Sequence, residues 1–279
     1  MESTAGPTLA ISVIISTYNS EAWLEKVLHG YAAQAYRHFE VVVADDGSAP
    51  STQALVQRHA LSFPVPLRHV WHEDHGYRRQ EILNLAIPLA AYDYLVFTDG
   101  DCIPRSDFLQ VHARHARPGR FLSGGYCKLG MALSERICLE DIRTGRCFDR
   151  GWLAGQERMG LSNTLKLGAG PTGARWLDAI TTARPTFNNC NSSAWKKDLV
   201  AINGYDERMK YGGPDRELGE RLENNGIRGK QIRHRAVCVH LDHARGYKTP
   251  ESLQNNLKIR AETRQQKRTW TPHGIEKSK

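Results

Sequence analysis

The stretch that decides the fold of this chain is Tyr94-Leu95-Val96-Phe97-Thr98-Asp99-Gly100-Asp101, an apolar strand pattern that ends in two carboxylates. Alternate residues of an extended chain project to the same side, so Asp99 and Asp101 are expected to converge. Converging carboxylates repel each other unless a cation lies between them. Mg²⁺ and Mn²⁺ take oxygen ligands, and Mg²⁺ commonly joins one or two carboxylates to substrate phosphates. The stretch therefore predicts a metal ion that holds a diphosphate, with a solvated turn as the alternative.

Composition sets broad limits on the class of protein. The chain has 279 residues, 40% of them hydrophobic and 24% charged, which suits one large or two small soluble domains. No apolar run approaches the roughly 20 residues that a membrane span needs. Residues 1–9 lack the basic and apolar regions of a signal peptide, so we expect a cytoplasmic protein. The six cysteines include no C-x-x-C pair and are expected to be reduced thiols.

The charge is strongly positive and unevenly distributed. The formal net charge is +8, and much of the excess lies in residues 228–235 and 258–268. Nucleic acid, anionic lipid headgroups or an anionic substrate would each suit such a surface, and a solvated basic face is the plain alternative. Composition alone does not choose among them.

Short apolar segments alternate with helical patterns in the first part of the chain. We predict strands at residues 11–15, 39–44, 67–71 and 94–97, and helices at residues 21–36, 51–60 and 81–91. This alternation indicates an α/β protein with a mostly parallel sheet and helices on both faces. Ligands of such sheets bind at the carboxyl ends of the strands. Three polar clusters follow predicted strands: Thr17-Tyr18-Asn19, Asp45-Asp46 and Asp99-Gly100-Asp101.

The rest of the chain is less periodic. Residues 118–185 are predicted to be loops and short helices, and later helices are expected at residues 196–202, 214–224 and after Thr249. Residues 229–240 read as one strand. We expect two halves, at residues 1–115 and 116–245, and a basic helix and tail at 246–279.

The ordered set of motifs resembles family 2 glycosyltransferases of the GT-A fold, over about residues 11–245. Three further segments resemble the branch that contains chondroitin polymerases and β-1,4-galactosyltransferases. The matching pieces are Val13-Ile14-Ile15-Ser16-Thr17-Tyr18-Asn19, Val43-Ala44-Asp45-Asp46-Gly47-Ser48, Phe97-Thr98-Asp99-Gly100-Asp101, Gly76-Tyr77-Arg78-Arg79-Gln80-Glu81-Ile82-Leu83-Asn84, Asn203-Gly204-Tyr205-Asp206 and Gly213-Pro214-Asp215-Arg216-Glu217-Leu218.

The resemblance implies that residues 1–115 are a nucleotide-sugar-binding half and that residues 116–245 are an acceptor-binding and catalytic half. It also implies a set of donor-binding residues. A carboxylate at a strand end can accept the uracil N3–H or a ribose hydroxyl, and an arginine offsets phosphate charge. A helix cap with a turn, and a surface ion pair, are the structural alternatives for these two groups. The implied residues are Thr17, Tyr18, Asn19, one or both of Asp45 and Asp46, Arg78 or Arg79, Asp99 and Gly100.

The resemblance also implies a metal site and a general base. Asp101 would bind the metal with His243 or, as second choice, His240, and an imidazole ligand favours Mn²⁺ over Mg²⁺. Asp215 would be the base, since Pro214 suits a first helical turn and the helix dipole there favours an ionised carboxylate. A helix-start carboxylate without a chemical role is the alternative. The family often has Glu where this chain has Pro214, which affects the expected acceptor contacts.

These expectations combine into a metal-dependent, inverting transfer of a hexose from a UDP-sugar to a glycan or glycolipid. The expected acceptor is a bacterial-type envelope glycan: a lipopolysaccharide core, a capsule or a lipid-linked oligosaccharide. The basic last third would allow peripheral contact with anionic lipid on the inner face of the membrane. A sugar nucleotidyltransferase is an alternative, but it would need a glycine-rich loop where Ser16-Thr17-Tyr18-Asn19 stands. A polyanion or nucleic-acid binder leaves the clustered acidic residues unexplained, so no nucleic-acid partner is expected.

Overall fold

The computed structural model describes residues 8–244 and 249–277. Its strands are β1 Ile11–Thr17, β2 Phe39–Asp45, β3 Leu67–Trp71, β4 Tyr94–Asp99, β5 Cys102–Pro104, β6 Arg120–Ser123, β7 Gly125–Lys128, β8 Ser192–Trp195, β9 Arg228–Gln231 and β10 Val237–His240. Its helices are α1 Glu21–Ala32, α2 Pro50–Ala60, α3 Arg79–Leu89, α4 Phe108–His115, α5 Met131–Arg136, α6 Leu139–Arg143, α7 Arg150–Ala154, α8 Leu161–Gly168, α9 Pro171–Ile180, α10 Lys196–Ala201, α11 Pro214–Asn224 and α12 Pro250–Gln265, with a 3₁₀ turn at Arg146–Phe148.

Seven strands form the main sheet, in the order β3-β2-β1-β4-β8-β6-β9. The first four are parallel, and Ile11 of β1 lies opposite both Phe39 of β2 and Tyr94 of β4. Strand β8 runs antiparallel to β4 and to β6, while β9 is parallel to β6. The predicted mostly parallel α/β sheet is confirmed. It draws strands from both of the predicted halves, 1–115 and 116–245.

Helices cover both faces of this sheet. Val13 and Val41 point into a core that also contains Leu28 of α1. Ile14 and Val42, one position along each strand, point into a second core, with residues of α3, α10 and α11. The alternation of side chains along a strand therefore supplies both cores, which explains why β1 and β2 are apolar almost throughout.

A second sheet has three strands in the order β5-β10-β7, and β5 follows β4 along the chain. Two predictions were wrong here. The single strand expected at residues 229–240 is two strands in different sheets, because the chain turns between β9 and β10, where the amides of Arg235 and Ala236 donate to Ile232. Strands β6 and β7 lie where only loops and short helices were expected, since four-residue strands around Gly124 are too short to show a period.

The cysteines and the helices agree with two further expectations. All six cysteines are free thiols, and five of them are buried. Across residues 8–244 and 249–277, no helix combines the length and the apolar character that crossing a bilayer requires. The predicted tail helix is present as α12, which packs on α11.

A buried ion pair anchors α11 to the segment that follows α10. The guanidinium of Arg221 bonds the carboxylate of Glu217 at 2.8 Å and donates to the carbonyls of Ile202 and Gly204 at 2.5 and 2.6 Å. Both side chains are 1% exposed. Because these bonds fix α11, they also fix the residues at its N-terminus, which include Asp215.

We expect Arg221→Met to lower the free energy of unfolding by about 3–5 kcal/mol, since it leaves the Glu217 carboxylate buried without its cation. Urea denaturation followed by circular dichroism measures the change. Arg143→Met is the matched control, because the Arg143–Glu140 pair is exposed and should contribute little to stability. Equal urea midpoints for the two variants would show that α11 does not depend on the buried pair.

Candidate active site

A cavity of about 1220 Å³ opens at the carboxyl ends of β1 and β4. Most of the residues that the sequence singled out line it, although they come from segments far apart in the chain. These are Thr17, Tyr18, Asn19, Asp46, Arg79, Asp99, Gly100, Asp101, Asp215, His240 and His243.

Asp45 and Asp46 have different environments at the end of β2. Asp45 is fully buried, accepts the amide of Ser48 at 2.9 Å and bonds the ring of His69 at 2.9 Å. Asp46 lines the cavity, where its carboxylate bonds His72 at 2.8 Å and accepts the amide of Arg78 at 3.1 Å. Burial raises the pKa of Asp46. Asp46 is therefore the carboxylate that a ligand in the cavity can reach, and Asp45 orders the turn behind it.

Arg78 and Arg79 also differ. The guanidinium of Arg79 donates to the Ser16 hydroxyl at 2.8 and 3.0 Å and forms an ion pair with Asp99 inside the cavity. Burial alone would lower the pKa of Arg79, but the Asp99 carboxylate raises it above its ordinary value. Arg78 does not line the cavity; it pairs with Glu81 at 3.2 Å. Arg79 is thus the arginine placed to meet an anionic ligand.

The loop after β1 and the turn after β4 are in contact. The amide of Gly100 donates to the carbonyl of Ser16 at 2.8 Å, and a Cβ at Gly100 would lie 3.1 Å from that oxygen and from the Thr17 hydroxyl. The Thr17 hydroxyl is buried and has no hydrogen-bond partner among the described residues. Tyr18 is 48% exposed, and its hydroxyl donates to Asp74 at 3.0 Å. A side chain at position 100 would crowd the contact between the turn after β4 and the loop after β1, which explains the glycine at this position.

Asp101 lies beside two histidines. The Nε2 atoms of His243 and His240 are 3.1 and 3.9 Å from the Asp101 carboxylate, and the two rings stack with centroids 5.7 Å apart. The Nδ1 atoms donate to the carbonyls of Leu241 and Ala244 at 2.8 and 2.9 Å. Because a carbonyl can only accept, each Nδ1 carries the proton, and each Nε2 faces Asp101. Such backbone hydrogen bonds orient metal-binding histidines in known sites.

The donor atoms of this cluster fit a divalent transition metal. Ligand atoms of Asp101, Cys102 and His240 all lie within 4.8 Å of one another. Burial opposes ionisation of Asp101, but the neighbouring His243 and His240 lower its pKa. Mixed carboxylate and imidazole ligands suit Mn²⁺ or a similar ion. Asp101, His240 and His243 can therefore hold a metal next to Asp99.

Asp215 lies in the first turn of α11, as the sequence predicted. Gly213 precedes the helix with φ +104°, and the Asp215 carboxylate accepts the amide of Arg216 at 2.8 Å. The helix dipole favours an ionised carboxylate at this end. Asp215 lines the same cavity as Asp101, so its carboxylate borders the space that Asp101, His240 and His243 also line.

Sequence reasoning missed one wall of the cavity. Tyr126, Lys166 and Arg233 line it, and all three belong to segments read as loops or as part of a single strand. The basic character of residues 228–235 was visible in the sequence. Its position inside the cavity was not, because it depends on the turn between β9 and β10.

Two family models match the chain. The model described as "Glycosyl transferase family 2" matches residues 12–124, and the model described as "N-terminal domain of galactosyltransferase" matches residues 180–244. The first covers the loops after β1, β2 and β4. The second covers Asp215, His240 and His243.

Curated relatives share these segments. The validoxylamine A glucosyltransferase of Streptomyces hygroscopicus subsp. limoneus is 31% identical over 232 residues, which are 78% of this chain and 48% of that protein. A chondroitin synthase of Escherichia coli is 30% identical over 227 residues, 77% of this chain and 32% of that protein. The chain thus spans about half the length, or less, of these relatives.

Solved structures share the fold. S. aureus TarS 1-349 in complex with UDP-GlcNAc superposes with a TM-score of 0.64 at 17% identity, over 91% of this chain and 66% of that chain. The mannosyltransferase PcManGT from Pyrobaculum calidifontis, in complex with GDP-Man and Mn²⁺, superposes with a TM-score of 0.58 at 21% identity, over 93% of this chain and 70% of that chain.

We expect Asp101→Asn to weaken Mn²⁺ binding by about 100-fold or more, because loss of a direct ligand should cost at least what loss of a supporting residue does. Electron paramagnetic resonance of free Mn²⁺ during a titration measures the affinity. Asp107→Asn removes a carboxylate that pairs with Arg105 outside the cavity and should leave the affinity unchanged. Equal affinities in wild type and Asp101→Asn would place the metal elsewhere.

Proposed function

The chain belongs to glycosyl transferase family 2, and we propose that it transfers a hexose from a UDP-sugar to an acceptor hydroxyl with inversion at the anomeric carbon. One observation carries the proposal. A single cavity of the GT-A fold contains a carboxylate for the nucleoside, a set of metal ligands and a carboxylate at a helix start. We assign the nucleoside to Asp46 and the metal to Asp101, His240 and His243. The carboxylate at the helix start is Asp215, and all five residues line the cavity.

The nucleoside of the donor lies at the edge formed by β1 and β2. Asp46 accepts the uracil N3–H or a ribose hydroxyl, and the exposed ring of Tyr18 offers a flat surface next to it. Thr17 supplies a buried hydroxyl that has no hydrogen-bond partner within residues 8–244 and 249–277. A solved structure with this fold is a complex with UDP-GlcNAc, which favours a uridine donor. Asp45 and Arg78 act indirectly: they order the turn after β2 and the start of α3.

The diphosphate of the donor lies between β1 and β4. Arg79 is fixed by Ser16 and Asp99 and faces this region, so its charge offsets that of the leaving UDP. Asp101, His243 and His240 hold the Mn²⁺ or Mg²⁺. When bound, the metal supplies Lewis-acid stabilisation of the diphosphate. Asp99 accepts a ribose or hexose hydroxyl, and Gly100 lets the backbone approach the ligand.

Asp215 removes the proton from the acceptor hydroxyl. A general base must lie within hydrogen-bond reach of the hydroxyl that attacks, and Asp215, at the start of α11, lines the cavity. Attack from the face opposite the nucleotide gives a β-linkage from an α-linked donor. The oxygen of the acceptor forms the new bond to the anomeric carbon, UDP leaves with the electron pair of the broken bond, and Asp215 takes the proton.

An envelope glycan or glycolipid is the acceptor that we propose. A chondroitin synthase among the relatives supports a carbohydrate acceptor. Some cations of the last third of the chain line the cavity, and some are paired, as Arg260 is with Glu220 at 2.6 Å. Fewer of them are therefore left for a peripheral membrane contact than composition suggested. For the remaining cations, the partner that we propose is anionic lipid on the inner face of the membrane.

Two other functions receive less support. A sugar nucleotidyltransferase would need a glycine-rich loop after β1, where this chain has Ser16-Thr17-Tyr18-Asn19. A polyanion binder would not place four carboxylates, Asp46, Asp99, Asp101 and Asp215, in its main cavity.

We expect Asp215→Asn to reduce the turnover number by about 10²–10⁴-fold, the usual contribution of a general base, and to leave UDP affinity unchanged. UDP release from a panel of UDP-hexoses with Mn²⁺ measures turnover, with bacterial glycan extracts added as acceptors. Glu251→Gln is the matched control, since Glu251 is an acid in the first turn of another helix, α12.

Two results would contradict the proposal. Full turnover in Asp215→Asn would remove Asp215 from the chemistry. Absence of UDP release from every UDP-hexose by the wild-type protein, together with absence of UDP binding, would exclude the transferase reaction itself.

A further inference from the structure

Among the described residues, four cations that line the cavity have no acidic partner, and three of them, Arg184 being the exception, come together on one wall. Lys166 of α8, Arg216 of α11 and Arg233 of the turn before β10 all line the cavity, and we call them the basic wall. None of the three forms an ion pair with any carboxylate in residues 8–244 and 249–277. By contrast, Arg79 and Lys128, which line the same cavity, pair with Asp99 and Asp242.

Tyr126 lies at the centre of the basic wall and links it to the metal ligands. The Lys166 ammonium donates to the Tyr126 carbonyl at 2.7 Å and lies 5.6 Å from the ring centroid. Burial raises the pKa of the Tyr126 hydroxyl, and the nearby charge of Arg216 opposes that rise. On the other side, the ring centroid of Tyr126 is 5.7 Å from that of His240. The basic wall therefore begins next to the metal site.

Lys166 is buried at an energetic cost. Its side chain is 7% exposed, and burial together with the charge of Arg233 lowers its pKa. A buried ammonium is unfavourable unless it is paired or hydrogen-bonded. Among the described residues, the Lys166 ammonium donates hydrogen bonds only to a carbonyl and, at 3.5 Å, to the amide oxygen of Asn163. An anion bound in the cavity would relieve both the desolvation and the repulsion from Arg233.

Two unpaired polar atoms of other residues that line the cavity also indicate a ligand. The Asn189 side-chain nitrogen and the Gln231 side-chain oxygen are buried without a hydrogen-bond partner among the described residues. Both residues line the cavity, and Asn189 is 2% exposed. Buried amide groups are normally satisfied, and the hydroxyls of a sugar ring are suitable partners.

The position of the basic wall separates it from the nucleoside. Ser123 and Gln231, which are paired in register at the ends of β6 and β9, border the cavity on this side. Asp46 borders it at the end of β2, and β1, β4 and β8 lie between the two edges in the sheet order. The basic wall therefore lies across the metal ligands from the nucleoside, on the side that also holds Asp215.

We propose that the acceptor carries an anionic group, a phosphate or a carboxylate, close to the hydroxyl that is glycosylated, and that Lys166, Arg216 and Arg233 bind this group. The assignment of this side of the cavity to the acceptor rests on the proposed function. Arginine and lysine bind both kinds of anion through charge-assisted hydrogen bonds. Tyr126 packs against the sugar ring that carries the anion, and Asn189 and Gln231 bond its hydroxyls.

Binding of three small probes tests the proposal: glucose, glucuronate and glucose 6-phosphate, titrated by ligand-observed NMR at low ionic strength. We expect the probe that carries the same kind of anion as the acceptor, glucuronate or glucose 6-phosphate, to bind about tenfold more tightly than glucose. This increment is typical of a charge-assisted hydrogen bond. The comparison of glucuronate with glucose 6-phosphate distinguishes a carboxylate from a phosphate. The titrations are made in EDTA and again with saturating Mn²⁺ and UDP, which fill the donor site.

Variants identify the residues. The double variant Lys166→Gln/Arg233→Gln should lose the preference for charged probes and keep wild-type UDP affinity, which also reports on its folding. Lys197→Gln is the matched control, because Lys197 is exposed and does not line the cavity, and it should keep the preference.

Three results would overturn the proposal: equal binding of glucose and both charged probes, a preference that survives in the double variant, or a preference that disappears when UDP fills the donor site. The last would assign these cations to the donor diphosphate. A protein that binds no UDP would contradict the proposed function, and the titration in EDTA would still decide whether the basic wall binds anions.

Discussion

The parallel pairing of β1 with β4 is the constraint on which the rest of the site depends. It places Ser16 opposite Asp99, so the loop after β1 and the acidic turn after β4 share one edge of the sheet. The amide of Gly100 then bonds the Ser16 carbonyl, and Arg79 bridges the Ser16 hydroxyl and Asp99. A shift of one residue in this register would turn Asp99 and Asp101 to the other side of the strand.

The close carboxylates of this turn create an electrostatic problem that the surrounding residues answer. Burial, together with the charge of Asp101, raises the pKa of Asp99 even though Arg79 acts in the opposite direction. On the other side, Asp101 faces the Nε2 atoms of His240 and His243. The arrangement is suited to a bound cation, because the metal would reduce the repulsion between the two carboxylates and leave both ionised. In the proposed function, the donor diphosphate would then meet a neutralised edge of the sheet rather than an acidic one.

Much of the fold could be predicted from local sequence. Strand β3 begins and ends at the predicted residues, and α11 covers the predicted residues 214–224. Buried parallel strands are apolar throughout, and α11 starts at a proline, so both signals are contained in short windows. Strands β6, β7 and β10 were not recognised as separate strands. They have four residues each, and what defines them is pairing with distant segments.

The site likewise contains residues that local sequence predicts and residues that only the folded structure brings together. Thr17, Asp46, Asp99 and Asp101 follow strands of one parallel sheet, so topology alone brings them together. The choice of Asp46 over Asp45 as the residue that faces the cavity required the hydrogen bonds of His69 and His72. The basic wall was beyond sequence reasoning, because α8, α11 and the turn after β9 meet only in the folded protein.

Above all, we propose that the cavity binds UDP with the help of a metal that Asp101 and the two histidines would hold. Calorimetric titration of UDP into the wild-type protein, in Mn²⁺ and then in EDTA, tests this proposal. We expect binding in Mn²⁺ to be at least about tenfold tighter than in EDTA, because a metal held there would offset the charge of the diphosphate. Equal UDP affinity in the two buffers, or no binding in either, would contradict it.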